Sequence, residues 1–518
     1  MAYSIEAKIK YKILLISINN LWRYSNVGID QITGYLRNDG YVVDVFYHHK
    51  NLRFDEIISS FPSDYNFYGF SINSSNFSCC TKIAEYIKEK QPSATIVFGG
   101  GYPTRYYREI YKKCTAIDYI TLGDGEIPTQ NLLEHILFDA PIIYINNIVV
   151  QNEYENKFPY CNGKIDYFPA MDYFETDSRI HNVRKEYCLQ TKNNVCTGKC
   201  TFCTERKGPI VYKDISHIVD EIDFVHRRFG IKKFFFTDDN ILDPNNTYAR
   251  ERISELCDRI NKLGHNLVFK CYIKANSLHD IPEDNFLLNK MSNVGFKTIF
   301  VGIEAGTDRD LRLYNKFTTV EDNYTILKLL RRYEIAPQIG FINFNPYSTI
   351  ETIRENYYFL TKIEMDNVFM YICSYLRVYK YTAMYEKIVA DGLIVNGCDY
   401  LDDKSIYKFA DKKVQEIFDF LAKHMLSRVR NLDFEFDWLY SFYLECKKIN
   451  PFASKYAPEF EELKRIQLEK IKDFFYILFV ENDFKKGELA VEEFLSFFEQ
   501  LQPKFSELHK NLLDLYIK

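Results

Sequence analysis

The stretch Cys196-Thr197-Gly198-Lys199-Cys200-Thr201-Phe202-Cys203 decides how the fold of this chain is interpreted. It spaces three cysteines as CxxxCxxC, shortly before a long run in which strand and helix patterns alternate. Cysteine thiolates are the usual ligands of a [4Fe-4S] cluster, and four of them would occupy all its irons. Three thiolates leave one iron open. The spacing therefore predicts a cluster with a free coordination position.

A structural zinc site is the alternative for the same cysteines. Cys188 or His181 would then be the fourth ligand, since Cys₄ and Cys₃His are standard zinc shells. Such sites usually combine two close cysteine pairs separated by a dozen or more residues. No second pair of that kind occurs in the chain, so the sequence favours the cluster.

The triplet, with Phe202 directly before its last cysteine, resembles the cluster motif of the radical SAM superfamily. The resemblance implies that Cys196, Cys200 and Cys203 hold one [4Fe-4S] cluster and that its open iron binds S-adenosylmethionine (SAM), near Phe202. An electron passed to SAM would then release a 5′-deoxyadenosyl radical.

Length and composition limit the possible classes of protein. The 518 residues suggest about three domains, and the formal net charge of −5 gives no electrostatic signature of nucleic-acid binding. Thirteen irregularly spaced cysteines are not a disulfide framework and indicate a reducing compartment, the cytoplasm. No apolar run of membrane-spanning length and no signal-peptide pattern occurs, so we expect no membrane segment.

Residues 1–150 alternate short apolar strand patterns with helix patterns. The strand patterns fall at residues 12–18, 42–46, 67–71, 95–98 and 117–120. This alternation predicts an α/β domain with a doubly wound, Rossmann-like parallel sheet. Ligands of such sheets bind beyond the carboxyl ends of the strands, where glycines allow close approach of the backbone. The residues at those ends are Asn19, Asn20, Ser71, Gly99, Gly100, Gly101, Gly123, Asp124, Gly125 and Glu126.

The order of these pieces, particularly VFGGGYPT and ITLGDGEIPTQNLLEHI, resembles the cobalamin-binding domain of class B radical SAM enzymes. The resemblance implies that cobalamin binds at Asn19, Ser71, Gly99, Gly100, Gly101, Gly123, Gly125 and Glu126. The chain has no DxHxxG motif, whose histidine ligates cobalt in other cobalamin domains, and His48 and His49 fit surface positions. Class B relatives commonly lack that histidine too. The alternative is a flavodoxin-like module that acts only as a scaffold.

Residues 151–186 are polar and predict a linker, and residues 187–395 contain six further strand patterns, the last at 368–376. Six βα units predict a partial (β/α)₆ barrel of the TIM type, with its chemistry at the carboxyl ends of the strands. Residues 396–518 carry helical apolar stripes and no clustered cysteines. We therefore expect a helical carboxyl-terminal domain without a second cluster. Its aromatic stripe predicts helix packing, with a substrate or leader-peptide groove as the alternative.

Polar residues at the predicted strand ends complete the resemblance. Asp238 and Asp239 stand where the superfamily binds the methionyl ammonium of SAM, Lys274 near its carboxylate, and Glu304 in a GIE segment near its ribose. The turns at 345–349 and 377–382 depart from the family pattern, which indicates a different substrate. Cys373, in the sixth strand pattern, is a candidate hydrogen-atom donor, although a buried inert cysteine is the commoner situation.

The combined prediction is a cobalamin-dependent radical SAM enzyme that methylates an unactivated carbon in a natural product or peptide. We expect a small-molecule or peptide substrate, an external flavodoxin-type or ferredoxin-type electron donor, and no nucleic-acid or membrane partner. A non-methylating radical reaction, such as epimerisation, rearrangement or cyclisation, is the enzymatic alternative. A metal-stabilised binding protein is the non-enzymatic one.

Overall fold

The computed structural model describes residues 5–19, 24–48, 53–141, 147–155, 157, 167–175, 185–193, 195–204, 208–363, 368–395, 407–426 and 434–517. The chain divides into two compact units. Unit 1 comprises Met1–Asn194 and Pro209–Phe235, and unit 2 comprises Val195–Gly208 and Phe236–Lys518. Our sequence-based boundaries at residues 150, 186 and 395 stay predictions. Within the described ranges, we find no helix with the length and apolar character of a membrane span.

Unit 1 contains the first sheet, whose described strands follow the order β2-β1-β3-β4-β5-β6. Its strands are β1 Ile13–Ile18, β2 Val43–His48, β3 Phe67–Ser71, β4 Thr95–Gly99, β5 Tyr119–Thr121 and β6 Ile148–Val150. Its helices are α1 Ile5–Lys10, α2 Val27–Asn38, α3 Phe54–Ile58, α4 Phe77–Lys90, α5 Gly101–Lys113 and α6 Glu126–Phe138. The first five strands pair in parallel. The added strand β6 is antiparallel to β5 and was not predicted.

The apolar content of β1 explains its central place in this sheet. All six of its residues are buried, as expected for a strand covered on both faces. The helix α2 begins after Asn26, whose side chain accepts a hydrogen bond from Ile29 N. The carboxyl ends of β1, β3 and β4 consequently lie at one edge of the sheet, as the prediction requires.

The second sheet has the order β11-β10-β9-β8-β7. Its strands are β7 Glu186–Leu189, β8 Lys233–Phe236, β9 Val268–Lys274, β10 Phe296–Glu304 and β11 Ala336–Phe341. The helices between α6 and the end of this region are α7 Asp172–Glu175, α8 Ile215–Phe229, α9 Thr247–Leu263, α10 Pro282–Val294, α11 Asp308–Leu313, α12 Val320–Arg332, α13 Ile350–Lys362, α14 Val368–Ile372 and α15 Ala383–Ala390. Glycines in the left-handed conformation, Gly230, Gly264 and Gly295, end α8, α9 and α10.

The predicted sixth strand at 368–376 is wrong in its first part. Residues Val368–Ile372 form the helix α14, and only Tyr375 pairs with Phe344, in an isolated parallel bridge. The side-chain amide of Asn343 donates to Ile372 O at 2.6 Å, and Ser374 N donates to Tyr371 O. A short apolar run suits a buried helix as well as a strand, so periodicity alone could not separate the two.

The carboxyl-terminal region is helical, as predicted. It consists of α16 Lys412–Leu421, a π-helical turn Ala422–Leu426, α17 Phe434–Ile449, a 3₁₀ turn Pro451–Tyr456, α18 Ala457–Tyr476, a second π-helical turn Ile477–Glu481 and α19 Phe484–Ile517. Its aromatic side chains Phe474, Phe475, Phe494 and Phe498 are buried against one another. The stripe is thus used for helix packing.

Candidate active site

The three-cysteine loop of unit 2 is held in place by the chain that follows α11. Thr201 N donates to Tyr314 O at 2.9 Å, and Thr201 Oγ1 donates to Leu313 O at 3.0 Å. Asn315 Nδ2 donates to Lys199 O at 2.9 Å. The ring of Phe202 meets the ring of Tyr314 edge to face, with centroids 5.4 Å apart. The loop is therefore ordered by contacts from more than a hundred residues away in sequence.

Two of the three thiols lie on the same side of the loop. Cys196, Cys200 and Cys203 are half-buried. A Cβ added at Gly198 would lie 3.3 Å from Cys196 Sγ and 3.9 Å from Cys200 Sγ, so these two sulfurs share one side of the loop. Each thiolate of a [4Fe-4S] cluster binds its own iron. No three His, Cys, Asp or Glu side chains in the described part of the chain are grouped as ligands of a single ion.

A buried polar network joins the loop to the ends of β8 and β9. Thr197 Oγ1 donates to Asp243 Oδ1 at 2.8 Å, and Asn240 Nδ2 donates to the same oxygen at 3.3 Å. Asn240 Oδ1 in turn accepts from Lys274 N and from Ser277 Oγ, both at 3.3 Å. Asp243, Asn240 and Ser277 are at most 3% exposed. Sequence analysis did not assign roles to Asn240, Asp243 and Ser277, because hydrogen bonds between residues far apart in the sequence leave no local pattern.

Glu304 lies at the end of β10 in an unusual backbone conformation. Its φ angle is 65°, in the left-handed region, where a non-glycine residue stores about 1–3 kcal/mol of strain. The pairing of β10 with β11 shifts register between Gly302 and Glu304. The carboxylate accepts a hydrogen bond from Lys316 Nζ at 2.8 Å. Backbone strain at a strand end is a recurrent feature of functional sites.

The other predicted SAM residues also follow strands of the second sheet. Asp238 and Asp239 come after β8, with Asp238 buried and Asp239 half-buried. Lys274 ends β9 and is half-buried. Burial lowers the pKa of Lys274, as does Lys316, whereas the Cys200 and Cys196 thiols act in the opposite direction. The structure thus brings Lys274 into electrostatic range of the cysteine loop.

Two amide oxygens at these strand ends are buried without a hydrogen bond from the described residues. They are Asn276 Oδ1, after β9, and Asn343 Oδ1, after β11. The amide nitrogens of the same side chains donate to Phe317 O and Ile372 O, which fixes which atom is the oxygen. Buried acceptors without partners are rare. Polar hydrogens of a bound molecule would satisfy them.

Unit 1 has its own candidate site at the carboxyl edge of the first sheet. Asn26 Nδ2 donates to Ser17 Oγ at 3.2 Å and to Ser71 Oγ at 3.0 Å. A Cβ at Gly99 would lie 2.8 Å from Thr121 Oγ1. Gly100 has a φ angle of 106°, and a Cβ there would lie 3.0 Å from Ile72 O. Glycines and small hydroxyls thus lie together at this edge, and glycine there allows the backbone to approach a bound ligand closely.

The remaining residues predicted to bind cobalamin are placed as follows. Gly101 begins α5 with open space around its Cα, and Gly123 N donates to Thr104 Oγ1 at 2.9 Å. Gly125 packs on Ile32, where a Cβ would lie 2.5 Å from the Ile32 Cδ1. Glu126 is buried at the start of α6, and its carboxylate accepts from Tyr167 Oη at 2.6 Å. Asn19 directly follows β1 and is half-buried. Asn20, His49 and His181 lie outside the described residues.

Cys373 follows α14 and is 6% exposed. It therefore does not lie on a regular strand. Its predicted place in a sixth strand was the reason for naming it a candidate hydrogen-atom donor. Lys316, Asn276 and Asn343 were missed by motif analysis. Asn276 and Asn343 stand at or near the ends of predicted strands, whereas Lys316, twelve residues after Glu304, carries no such signal in the sequence.

Protein-family models match the regions of the chain that contain the two candidate sites. The B12 binding domain model matches residues 11–133, and the Radical SAM superfamily model matches residues 192–360. The chain is 26% identical over 289 residues to the anaerobic magnesium-protoporphyrin IX monomethyl ester cyclase of Rubrivivax gelatinosus, an alignment that covers 52% of this chain and 49% of that protein. The chain spans about half the length of the curated relatives that it matches.

Two solved structures share the fold. The cobalamin-dependent S-adenosylmethionine radical enzyme OxsB, with aqua-cobalamin and S-adenosylmethionine bound, superposes with a TM-score of 0.71 at 16% identity, covering 98% of this chain and 84% of that one. The radical S-adenosylmethionine methyltransferase TsrM from Kitasatospora setae gives a TM-score of 0.58 at 16% identity, covering 74% and 79%. The family matches imply a [4Fe-4S] cluster, SAM and cobalamin as cofactors, and they set the zinc alternative aside.

Proposed function

We propose that this chain, which belongs to the radical SAM superfamily and carries an amino-terminal B12-binding domain, methylates an unactivated carbon of a small molecule or peptide. One observation carries the proposal: a three-thiol loop and a glycine-lined sheet edge of the B12-binding type occur in the same chain. When bound, the cluster supplies the electron that cleaves SAM to a 5′-deoxyadenosyl radical, and cobalamin supplies the transferable methyl group.

The residues of unit 2 would bind and orient SAM. Cys196, Cys200 and Cys203 would ligate three irons and leave the fourth for the amino and carboxylate groups of SAM. Asp238 and Asp239 would accept hydrogen bonds from the N–H groups of the SAM amino group, and the negative charge of the carboxylates strengthens such bonds. We assign the SAM carboxylate to Lys274.

We assign the ribose hydroxyls to Glu304. Lys316 binds its Oε1, and a Cβ at Gly340 would lie 3.2 Å from its Oε2, so this oxygen faces backbone that carries no side chain. The buried oxygens of Asn276 and Asn343 supply further acceptors for hydroxyl or amino hydrogens of the adenosyl group.

The residues of unit 1 would bind cobalamin along the edge formed by Ser71, Gly99 and Gly100. Methyl substituents at these glycines would collide with backbone or side-chain oxygen, so this edge depends on their bare Cα atoms. We do not expect Glu126 to contact cobalamin directly, because its carboxylate is bound by Tyr167.

A ring-forming or other non-methylating radical reaction is the second candidate. The relative from Rubrivivax gelatinosus, which is a cyclase, favours this reaction. In that case cobalamin would act in another role, and Cys373 would keep its proposed part as a hydrogen-atom donor only if a substrate reaches it. For either reaction we propose a one-electron donor of the flavodoxin or ferredoxin type and a location in the reducing cytoplasm.

The test uses the full chain, purified without oxygen and reconstituted with iron and sulfide, with and without cobalamin. Bound iron and corrinoid are measured, and SAM products are identified by mass spectrometry. Cys200→Ala should lose most iron and all SAM cleavage. The matched control Cys188→Ala should keep both, whereas a zinc site completed by Cys188 would lose its metal.

The products decide between the reactions. Bound corrinoid together with 5′-deoxyadenosine and S-adenosylhomocysteine supports methyl transfer. Deoxyadenosine alone overturns methyl transfer and leaves the non-methylating reaction. A chain that binds iron but cleaves no SAM under any reductant would refute both.

A further inference from the structure

A buried ion pair lies at the centre of the candidate SAM site. Lys316 Nζ is 2.8 Å from Glu304 Oε1, and the two side chains are 6% and 13% exposed. Burying two charges is unfavourable unless each is paired and hydrogen-bonded. A pair retained at a strand end is therefore weak evidence for stability and points to a functional reason.

The space for this pair is created by two glycines. A Cβ at Gly302 would lie 2.6 Å from Lys316 Nζ and 2.9 Å from Glu304 Oε1. A Cβ at Gly340 would lie 3.2 Å from Glu304 Oε2. The pair thus rests on bare backbone of β10 and β11, and any other residue at Gly302 would displace the ammonium.

The backbone around Lys316 is strained on both sides. Asn315 and Phe317 have φ angles of 53° and 55°, in the left-handed region. Hydrogen bonds hold this conformation: Asn315 Nδ2 binds Lys199 O in the cysteine loop, and Asn276 Nδ2 binds Phe317 O. Lys316 is therefore fixed between the cysteine loop and the end of β9.

The local charges favour a permanently charged lysine here. Burial by itself would lower the pKa of Lys316, but the Glu304 carboxylate and the Cys200 and Cys203 thiols raise it, and the net change is upward. Lys274 differs, because burial and the charge of Lys316 lower its pKa. Between Lys274 and Lys316, Lys316 has the more strongly held charge.

We propose that Lys316 is a positioning residue with two effects: it holds Glu304 in its strained conformation, and it places a positive charge next to the cysteine loop, where the preceding residue, Asn315, binds Lys199 O. A positive charge stabilises the more negative, reduced state of a cluster and raises its reduction potential. This inference rests on the proposed cluster in the three-thiol loop. It assigns no role to Lys316 in contacting the reacting atoms.

The test measures two properties of the reconstituted protein that do not depend on turnover. The midpoint potential of the cluster is obtained from a redox titration followed by electron paramagnetic resonance, and SAM affinity from the spectral change on adding SAM. The variants are Lys316→Gln, Lys316→Arg and Gly302→Ala. The controls are Lys290→Gln, a lysine paired with Asp258 on the surface, and Gly208→Ala, where a Cβ meets only Val195 at 3.9 Å.

Lys316→Gln should shift the midpoint potential downward and weaken SAM binding by about tenfold, the equivalent of losing one charge-assisted hydrogen bond. Lys316→Arg should restore the potential, because the charge is kept. Gly302→Ala retains every charge but moves the ammonium, so SAM binding should weaken several-fold. Both controls should match the unaltered protein.

Each outcome has a definite meaning. Unchanged potential and SAM affinity in Lys316→Gln, with iron retained, overturn the inference. If Lys316→Gln loses its iron, the Gly302→Ala variant provides the test instead. Unchanged SAM affinity in Gly302→Ala would also overturn the inference. Failure of the unaltered protein to bind iron would instead refute the proposed function.

Discussion

Asp30 offers a prediction whose size follows from the structure. This residue of α2 is 3% exposed and accepts a hydrogen bond from Tyr47 Oη. Burial raises the pKa of Asp30 to about 7, against the opposing hydrogen bonds of Tyr47 and Ser25, and the nearby charge of Asp172 adds to the rise. At a pH between 3.8 and about 7, Asp30 is therefore protonated in the folded state, whereas the same residue of the unfolded chain, with a pKa near 3.8, has lost its proton.

The sign of the effect follows from proton linkage. Between about pH 4 and pH 7 the folded state binds more protons than the unfolded state, so stability falls as the pH rises. About 3 pKa units at about 1.4 kcal/mol each give a loss of about 4 kcal/mol, complete above about pH 7. Asparagine mimics the protonated acid. Asp30→Asn should thus equal the unaltered protein near pH 4 and exceed its stability by up to about 4 kcal/mol at pH 8.

Native-state hydrogen exchange of the α2 and β2 amides measures this difference locally, which suits a chain of several domains. The control is Asp55→Asn, a substitution of an exposed carboxylate in α3. The prediction is wrong if the difference in exchange free energy between Asp30→Asn and the unaltered protein stays constant from pH 5 to pH 8. A constant difference would mean that Asp30 is already ionised in the folded state.

Three further predictions concern other buried contacts. Lys213→Met leaves the Glu221 carboxylate, now 2.5 Å from the ammonium and 1% exposed, buried without its cation, and should destabilise unit 1 by about 3–5 kcal/mol in thermal unfolding. Gly100→Ala forces alanine to a φ angle of 106° against Ile72 O and should reduce the corrinoid retained after gel filtration several-fold. Arg354→Ala frees two carbonyls of the π-helical turn Ile477–Glu481 and should speed proteolysis there and cost about 2 kcal/mol.

Matched variants make these predictions specific. Tyr187→Phe removes only one of the hydrogen bonds to Glu221, so it should destabilise less than Lys213→Met. Gly28→Ala, whose Cβ would be 3.6 Å from Asn26 Oδ1, should leave corrinoid binding unchanged. Arg354→Lys should recover only part of the stability, since lysine cannot bind two carbonyls in the same geometry. Equal effects of substitution and control would contradict each argument.

The sheets were predictable because most of their parallel strands are short, largely apolar runs between helical patterns. The same rule failed at Val368–Ile372, where the apolar run forms α14. It also missed β6, a three-residue antiparallel edge strand, because so short a segment carries little periodicity.

The residues of the candidate site also differ in how far the sequence could predict them. Cys196, Cys200 and Cys203 could be predicted because ligand spacing is a local property of the sequence. Lys316 could not, because its meaning depends on Glu304, twelve residues earlier, and on a backbone conformation that sequence patterns do not specify. Sequence spacing therefore points to candidate ligands of a cluster more readily than to the residues that would orient them.

The three-cysteine loop also depends on the fold more than its short motif suggests. Thr197 reaches Asp243 across 46 residues and Thr201 reaches Leu313 across 112, so the conformation of the loop depends on contacts with distant parts of the chain. A peptide containing the motif alone lacks these partners and would still offer three thiols to iron. Because affinity for the metal comes from the thiols and geometry comes from the distant contacts, cluster content and SAM binding should respond separately to substitution. Thr197→Val removes the bond to Asp243 but no thiol, and it should therefore lower SAM affinity while iron content stays nearly unchanged; a parallel loss of both would show that the distant contacts are needed to bind the metal itself.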